Sequence, residues 1–310
     1  MPMRVEFAVA VSVAVMLAGC GGGGGGSSGT RSMPVPEVYP DITKPGQTRL
    51  TGQAVNLGID AATSTARQLN GTVEGRIDWV SGQPKTIAMD FSVPAAPLQF
   101  SETFANLTTR TVAISPGFAV AVSSEQKVAS DGSLRSVELL NPRTAGLQYT
   151  TLGAWGYSQS ATAATQYDGR FILGTATRVS DIPVTGSASY AGVMLGTLVN
   201  PAGVHDVTAH ATAQADFGAR AVNFATDFSV RTLRGSGIPV SDSSLDLSGV
   251  LNYAAGSNRL SGTLTTPSAD MSGQATARFY GPAVRELGGT YFVEKADKSQ
   301  QMSGAFAVKR

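Results

Sequence analysis

The strongest constraint on this chain is the period-two alternation of apolar and polar residues that runs through most of it. Successive side chains of a strand point to opposite faces, so alternation marks a half-buried β-strand, whereas a helical face repeats every 3.6 residues. In residues 71–80, Val73, Ile77 and Trp79 alternate with Glu74, Arg76 and Asp78. In 85–93, Ile87, Met89, Phe91 and Val93 alternate with Thr86, Ala88, Asp90 and Ser92. Asp131 and Gly132 lie between two strand-like runs, and this dipeptide is a strong hairpin signal. Residues 98–107 fit a strand or a short helix; 148–157 and 169–176 add strand candidates, with Tyr149, Trp155 and Tyr157 on one parity.

From 183 onward the alternation is cleaner. It predicts strands at 185–195, 204–217, 221–232, 245–253, 259–265, 271–280, 289–294 and 301–308. Within 221–232, Val222, Phe224, Phe228 and Val230 share one face, opposite Asn223, Asp227, Ser229 and Arg231. Turn residues fall between the runs at 200–203, 255–258 and 266–267. Short, closely spaced antiparallel strands suit an up-and-down barrel, whose closure leaves no exposed edge. Ala209, Ala211, Ala213 and Ala215 on one face allow tight curvature or a narrow interior. Residues 282–287 fit a single helical turn, with Pro282 at its start and Gly288 after it. Phe279, Phe292 and Phe306 are expected in the core. The fold class is all-β: a β-rich N-terminal part followed by an eight-stranded antiparallel barrel.

The first residues read differently. Arg4 precedes an apolar run over 7–17, and Leu17-Ala18-Gly19-Cys20 closes it. A positive start, a short apolar stretch and small residues at its end describe a secretory signal peptide, too short to span a bilayer as a helix. The four closing residues also resemble the bacterial lipobox, in which cleavage after Gly19 leaves a diacylated Cys20 as the new N-terminus. Cys20 is the chain's only cysteine, which excludes an internal disulfide framework and a thiolate-rich metal site. Residues 21–26 are all glycine, followed by Ser27, Ser28 and Gly29, and then by Pro34, Pro36, Pro40 and Pro45. Such a run behaves as a flexible, then stiffer, tether. The expected division is therefore a signal peptide at 1–19, a lipidated, tethered segment at 20–46, a β domain at 47–181 and a barrel at 182–310.

The barrel carries a family resemblance. The run from Gly273 through Phe279, Tyr280, Gly281 and Pro282, with Leu287, Gly288, Gly289, Tyr291 and Phe292, ends in Gly304-Ala305-Phe306. Together with Ile182-Pro183-Val184, Tyr190-Ala191-Gly192 and Asp216-Phe217-Gly218, it resembles the C-terminal barrel of transferrin-binding protein B lobes. Relatives of those lobes include factor H-binding protein and haem-related surface lipoproteins. The resemblance implies a handle-like β domain over 47–181, non-catalytic partner binding through loops, and an outer-membrane location facing the cell exterior. Gly21 directly after the cysteine, with no Asp there, likewise resembles lipoproteins sorted to the outer membrane.

The residues offer little chemistry. His205 and His210 are the only histidines, and their odd spacing on one strand points them to opposite faces, so they do not jointly ligate a metal. His210 shares its face with Thr208, Thr212, Gln214 and Asp216, which reads as a solvated face; a triad with Asp206 or Asp216 has no geometric support. No catalytic residue, metal site or cofactor is assigned; haem stays open as a ligand, with a surface histidine the plainer reading of both residues. Tyr190, Tyr253, Tyr280 and Tyr291 are expected to finish the core rather than line an opening. A net charge of +1 and only 15% charged residues give no reason to bind nucleic acid. The expected partners are the membrane, through lipid on Cys20, and a host serum protein or haem. The alternative is a structural envelope lipoprotein with no host ligand. The loops at 235–244 and 254–258 are the expected recognition surfaces.

Overall fold

The computed structural model describes residues 39–310, apart from 61, 70, 81–82, 94–97 and 161. The expected signal peptide, the cleavage site at Gly19, Cys20 and the tether up to residue 38 lie outside the described residues. Residues Tyr39–Arg310 form one unit built from two antiparallel sheets.

The first sheet uses β1 (Gly46–Asp60), β2 (Thr65–Leu69), β3 (Thr72–Val80), β4 (Gln83–Val93) and β5 (Leu98–Phe104). It continues with β6 (Thr108–Ser115), β7 (Phe118–Val128), β8 (Leu134–Leu140), β9 (Thr150–Ser158) and β10 (Thr165–Gly174). The strand order is β5-β4-β3-β1-β10-β9-β8-β7-β6, with β2 also on β1. β3 and β4 bury the predicted parity: Val73, Ile77, Trp79, Ile87, Met89, Phe91 and Val93 are all buried. They curl around a core with Leu50, Trp155, Phe171 and Leu173. Within the 98–107 segment Leu98–Phe104 is a strand, and Phe100 folds over that core against Phe91 and Tyr157 with ring centroids at 4.9 and 5.5 Å.

The second sheet uses β11 (Ser187–Asn200), β12 (Gly203–Asp216), β13 (Ala221–Leu233), β14 (Pro239–Ser241) and β15 (Ser248–Tyr253). β16 (Leu260–Thr265), β17 (Met271–Tyr280), β18 (Glu286–Lys295) and β19 (Gln301–Lys309) complete it. β11, β12 and β13 pair in chain order, β13 pairs β15, β15 to β19 pair in chain order and β19 returns to β11, so eight strands close into an up-and-down barrel with the three-residue β14 appended to β13. The alanines of β12 face inward and are buried, leaving room for Phe224 and Phe306, whose ring centroids are 4.3 Å apart. Closure and filling leave a packed core rather than a pore.

Four details depart from the sequence reading. Phe228 is exposed, not paired inward with Val222 and Phe224, because the β12–β13 register shifts between Thr208 and His210. Phe228 takes a left-handed φ of 55°, and this bulge reverses the parity, so Ser229 is buried instead. Phe292 packs outside the barrel, against Leu57, Ile59 and Val199, rather than in its core. The expected turn at 282–287 is shorter: a 3-10 turn spans Pro282–Val284, and β18 already starts at Glu286. Strands β2, β6 and β14 carry no alternation strong enough to read, being short or polar on both faces.

The outer face of the barrel packs on the first sheet. Val193 and Leu195 of β11, with Ala305 and Ala307 of β19, meet Val120, Val122, Leu140, Leu152 and Ile172. β9 is therefore buried on both faces over Thr150–Trp155, and β10 over Asp168–Gly174.

Inside the barrel, Tyr291 lies across Gly196 and Gly304. A Cβ on Gly304 would come within 2.5 Å of the Tyr291 ring, with no far end of a flexible side chain to give way. Gly304→Ala is therefore expected to destabilise the protein by about 1–3 kcal/mol through overpacking, read as a lower urea midpoint with an unchanged slope. Gly256→Ala, in open space at a turn with φ 74°, acts only through its backbone and serves as the comparison.

Candidate functional site

Where the two sheets meet, their apolar contact gives way to a polar cluster. Asp168 and Arg170 stand two residues apart on β10, hence on one face, which is the face turned to the barrel. Thr197 on β11, Asp206 on β12 and Arg234 just after β13 meet them. Arg170 Nε donates to Thr197 Oγ1 at 2.9 Å and its Nη2 to Asp206 Oδ1 at 2.8 Å. Thr197 Oγ1 in turn donates to Asp168 Oδ1 at 2.6 Å. Arg234 Nη2 bridges Asp168 Oδ2 and Asp206 Oδ1, both at 2.8 Å. The Arg170 side chain is only 4% exposed and that of Asp168 8%, whereas those of Asp206 and Arg234 reach solvent. Burial pushes the Asp206 carboxyl up, but Arg234 and Arg170 outweigh it and hold it below its ordinary value. Burial likewise lowers Arg234, and Asp168 and Asp206 reverse that.

A second polar link crosses the seam. The buried Glu286 of β18 accepts from the backbone N–H of Gln148 at 2.5 Å, from that of Tyr149 at 3.2 Å, and from Thr150 Oγ1 at 2.6 Å. Burial pushes its carboxyl up, and those donors offset part of the rise. The chain enters this unit near the same end: Tyr39 Oη donates to Asp181 Oδ2 at 2.7 Å and accepts from the Arg178 N–H at 2.9 Å.

Two clefts flank the Arg170 cluster. One, of about 390 Å³, lies over small residues of the first sheet such as Ser136, Ala154 and Gly156, and ends at Asp168, Asp206 and Arg234. The other, of about 560 Å³, lies between Arg110–Ala113 of β6 and the barrel's outer surface at Thr208, Val230, Thr232, Pro239 and Ser241. Both share Glu138, Arg170 and Asp206. The two expected recognition loops fall at opposite ends of the barrel. The 235–244 loop follows the end of β13 and carries Ile238 and Val240, 68% and 48% exposed. The 254–258 loop sits beside the start of β11, where Val184 and Tyr253 line a small hollow.

The histidines do point to opposite faces, as the spacing requires. His205 faces inward and is buried with its Nδ1 unpartnered, so it is not a surface histidine. Burial, then Arg231, lowers its pKa below the ordinary 6.5. His210 faces outward, half-buried rather than freely solvated, with Nδ1 2.8 Å from Asp227 Oδ1 and the Phe118 ring edge-on at 6.4 Å. Its partner is Asp227, not Asp206 or Asp216. Among the described residues no group of three or more His, Cys, Asp or Glu side chains could hold a metal ion. Tyr190 and Tyr291 finish the barrel core, donating to Val284 O at 2.8 Å and towards Met194 Sδ at 3.0 Å. Tyr253 closes one end of that core, and Tyr280 lies outside the barrel in the seam.

Sequence reading assigned nothing to Asp168, Arg170, Thr197, Arg234 or Glu286. A signal was present: opposite charges two apart beside Phe171, Ile172 and Leu173 place an ion pair on a strand that is otherwise apolar.

Two outcomes follow. Arg170→Ala leaves Asp168 and Asp206 with Arg234 as their remaining cation and is expected to cost about 1–3 kcal/mol, measured by urea unfolding and little changed by added salt; Arg49→Ala, at an exposed pair with Glu74, has a negligible effect. The fold disfavours the protonated form of His205, so as pH falls through about 6.5 the unfolded chain gains this proton first. Its contribution is therefore constant above about pH 7 and falls as pH drops through the unfolded value near 6.5 towards its lowered folded one. The unfolding midpoint of His205→Gln, compared with that of the parent between pH 7.5 and 5, is expected to lose that component of the decline.

Comparison with known proteins assigns the barrel. Residues 182–310 match the family model described as C-lobe and N-lobe β-barrels of Tf-binding protein B. No curated protein matches the chain significantly. Solved structures that align include a mutant form of transferrin binding protein B from Haemophilus parasuis, at 14% identity over 83% of this chain and 66% of that one, with a TM-score of 0.43. The isotype 1 transferrin binding protein B from Neisseria meningitidis aligns at 15% identity over 78% and 52%, TM-score 0.39. The N-lobe domain of lactoferrin binding protein B from Moraxella bovis aligns at 13% identity over 60% and 78%, TM-score 0.35. The chain thus spans just under two thirds of the first and about half of the second, and at these scores the alignments carry no argument of their own. The family model coincides with the closed barrel and its lead-in from Ile182, so residues 182–310 are similar to the β-barrel domain of transferrin-binding protein B lobes.

Proposed function

We propose that this protein is a lipoprotein held at the bacterial outer membrane through Cys20, facing outward, which captures a host protein without catalysis. The observation that carries the reading is the family barrel itself, with an interior filled by Tyr190, Met194, Phe224, Phe279, Tyr291 and Phe306. A filled barrel has no room for a substrate, so recognition falls to its loops and to the surfaces beside the seam. Proteins with this barrel are named for binding transferrin, and that makes transferrin the first partner to offer. The exposed Ile238 and Val240 in the 235–244 loop supply the apolar contact such an interface needs. The net charge of +1 supports aromatic and polar contacts over long-range steering.

Protease and antibody added to intact cells are expected to reach the folded body. Cys20→Ser is expected to move the protein from the membrane fraction to the soluble one. Immobilised protein is expected to retain transferrin or another iron-carrying serum protein, with retention reduced at least tenfold by Ile238→Asp. Protection of the body in unbroken cells, with no retention of any serum protein or of haem, would instead favour a structural envelope role.

A further inference from the structure

β6 ends the first sheet: it pairs with β7 on one side and with no strand on the other. Among the described residues no backbone hydrogen bond reaches the far side of β6. An unpaired edge is a row of donors and acceptors ready for another strand. This one is not open to bulk solvent on every side. Val112 and Ile114 pack towards the barrel with Val193 and Leu195, so β6 stands over the barrel's outer face. Beyond its free edge lies the cleft of about 560 Å³, and four consecutive residues, Arg110–Ala113, line it. A strand seen face-on offers only alternate residues; four in succession means that its edge meets the space. The floor is the outer face of β13 and β14, where Val230 is in register with Ser241 and Thr232 with Pro239.

From this geometry we infer that the cleft is a strand-addition site, which takes an extended, uncharged segment of a partner protein as a further strand on β6. Main-chain hydrogen bonds to β6 supply affinity, and alternate side chains of the guest fall on Val230, Thr232, Pro239 and Ser241. The charge of the walls fixes the chemistry of the guest. Arg110 is paired with Glu138 at 2.7 Å and Arg170 with Asp206 at 2.8 Å, so the cleft presents neutralised walls and no free charge to a ligand. β-branched residues at alternate positions fit best.

The chain's own N-terminal segment is a poor guest. Tyr39 is fixed to Asp181, ahead of the start of β11, whereas the cleft lies level with Thr197 and Asp206, ten register positions along that strand. That is about 30 Å, at least about nine extended residues, so this segment would bring residues near 21–30 to the cleft, a Gly/Ser run without the side chains that alternate positions need.

The test is a selection of random eight-residue displayed peptides on the purified full chain, run in parallel on Ser241→Trp and Ala113→Trp. Both replaced residues are exposed, so the fold is retained, checked by the thermal midpoint. Expected are uncharged sequences with alternating β-branched residues, enriched at least tenfold over either variant. A synthetic peptide of the enriched sequence should slow amide exchange at Thr111–Ala113 and bind at least tenfold more weakly when N-methylated at alternate residues. Equal enrichment on parent and variants, or binding indifferent to N-methylation, overturns the proposal. So does a concentration-dependent dimer abolished by Ser241→Trp, which would give the cleft to a second copy. None of these readouts depends on surface display or on a serum partner, so failure here leaves the proposed function standing, and the reverse also holds.

Discussion

The pairing of β19 with β11 closes the barrel and builds the seam at the same time. Its register sets Phe306 opposite Met194 and Ala305 opposite Leu195. Even-numbered residues of β19, from Met302 to Val308, fill the barrel, while Ala305 and Ala307 turn outward to meet the first sheet. All of Gln301–Val308 is buried as a result. A strand covered on both faces cannot slip by one residue without exchanging its two environments. Phe306 would then be forced into a seam that accepts only alanine.

The seam is where charged groups had to be buried, and Glu286, Asp168 and Arg170 each have partners there. Glu286 stands at the first residue of β18, where the 3-10 turn ends, and its carboxylate meets the start of β9. Arg170 and Asp168 would be costly inside an apolar contact if alone; Thr197, Asp206 and Arg234 satisfy them. The same cluster separates the two clefts, so the site's shape is a by-product of how the sheets are locked. This explains why the charged residues there read as a scaffold for recognition and not as reactive groups: each cation already has its carboxylate.

Much of the fold was legible because alternation reports burial directly. The predicted strand at 271–280 is β17 residue for residue, and 301–308 differs from β19 by one. Alternation failed where one residue was added or where both faces were polar. At Phe228 a bulge reversed the parity, and a left-handed φ at a phenylalanine has no local sequence signal. At β6, Thr108, Thr109, Arg110 and Thr111 are all exposed, so no face stands out. The site was less legible than the fold. Both candidate loops lie on the surface as expected, yet they occupy opposite ends of the barrel, which chain order does not reveal.

By itself the sequence determined an all-β body, the strands of its barrel, the opposite facing of His205 and His210, and a lipobox-like start, because each follows from local periodicity or from residue type. The tertiary structure decided that His205 is buried and His210 is paired with Asp227. It also decided that Phe292 belongs to the seam, and that Arg170, Asp206 and Arg234 meet. His210 and Asp227 are 17 positions apart in the chain and Arg234 and Asp168 are 66, while Phe292 meets Leu57 from farther still. Such meetings depend on sheet order and register, and those are set by packing the whole chain at once.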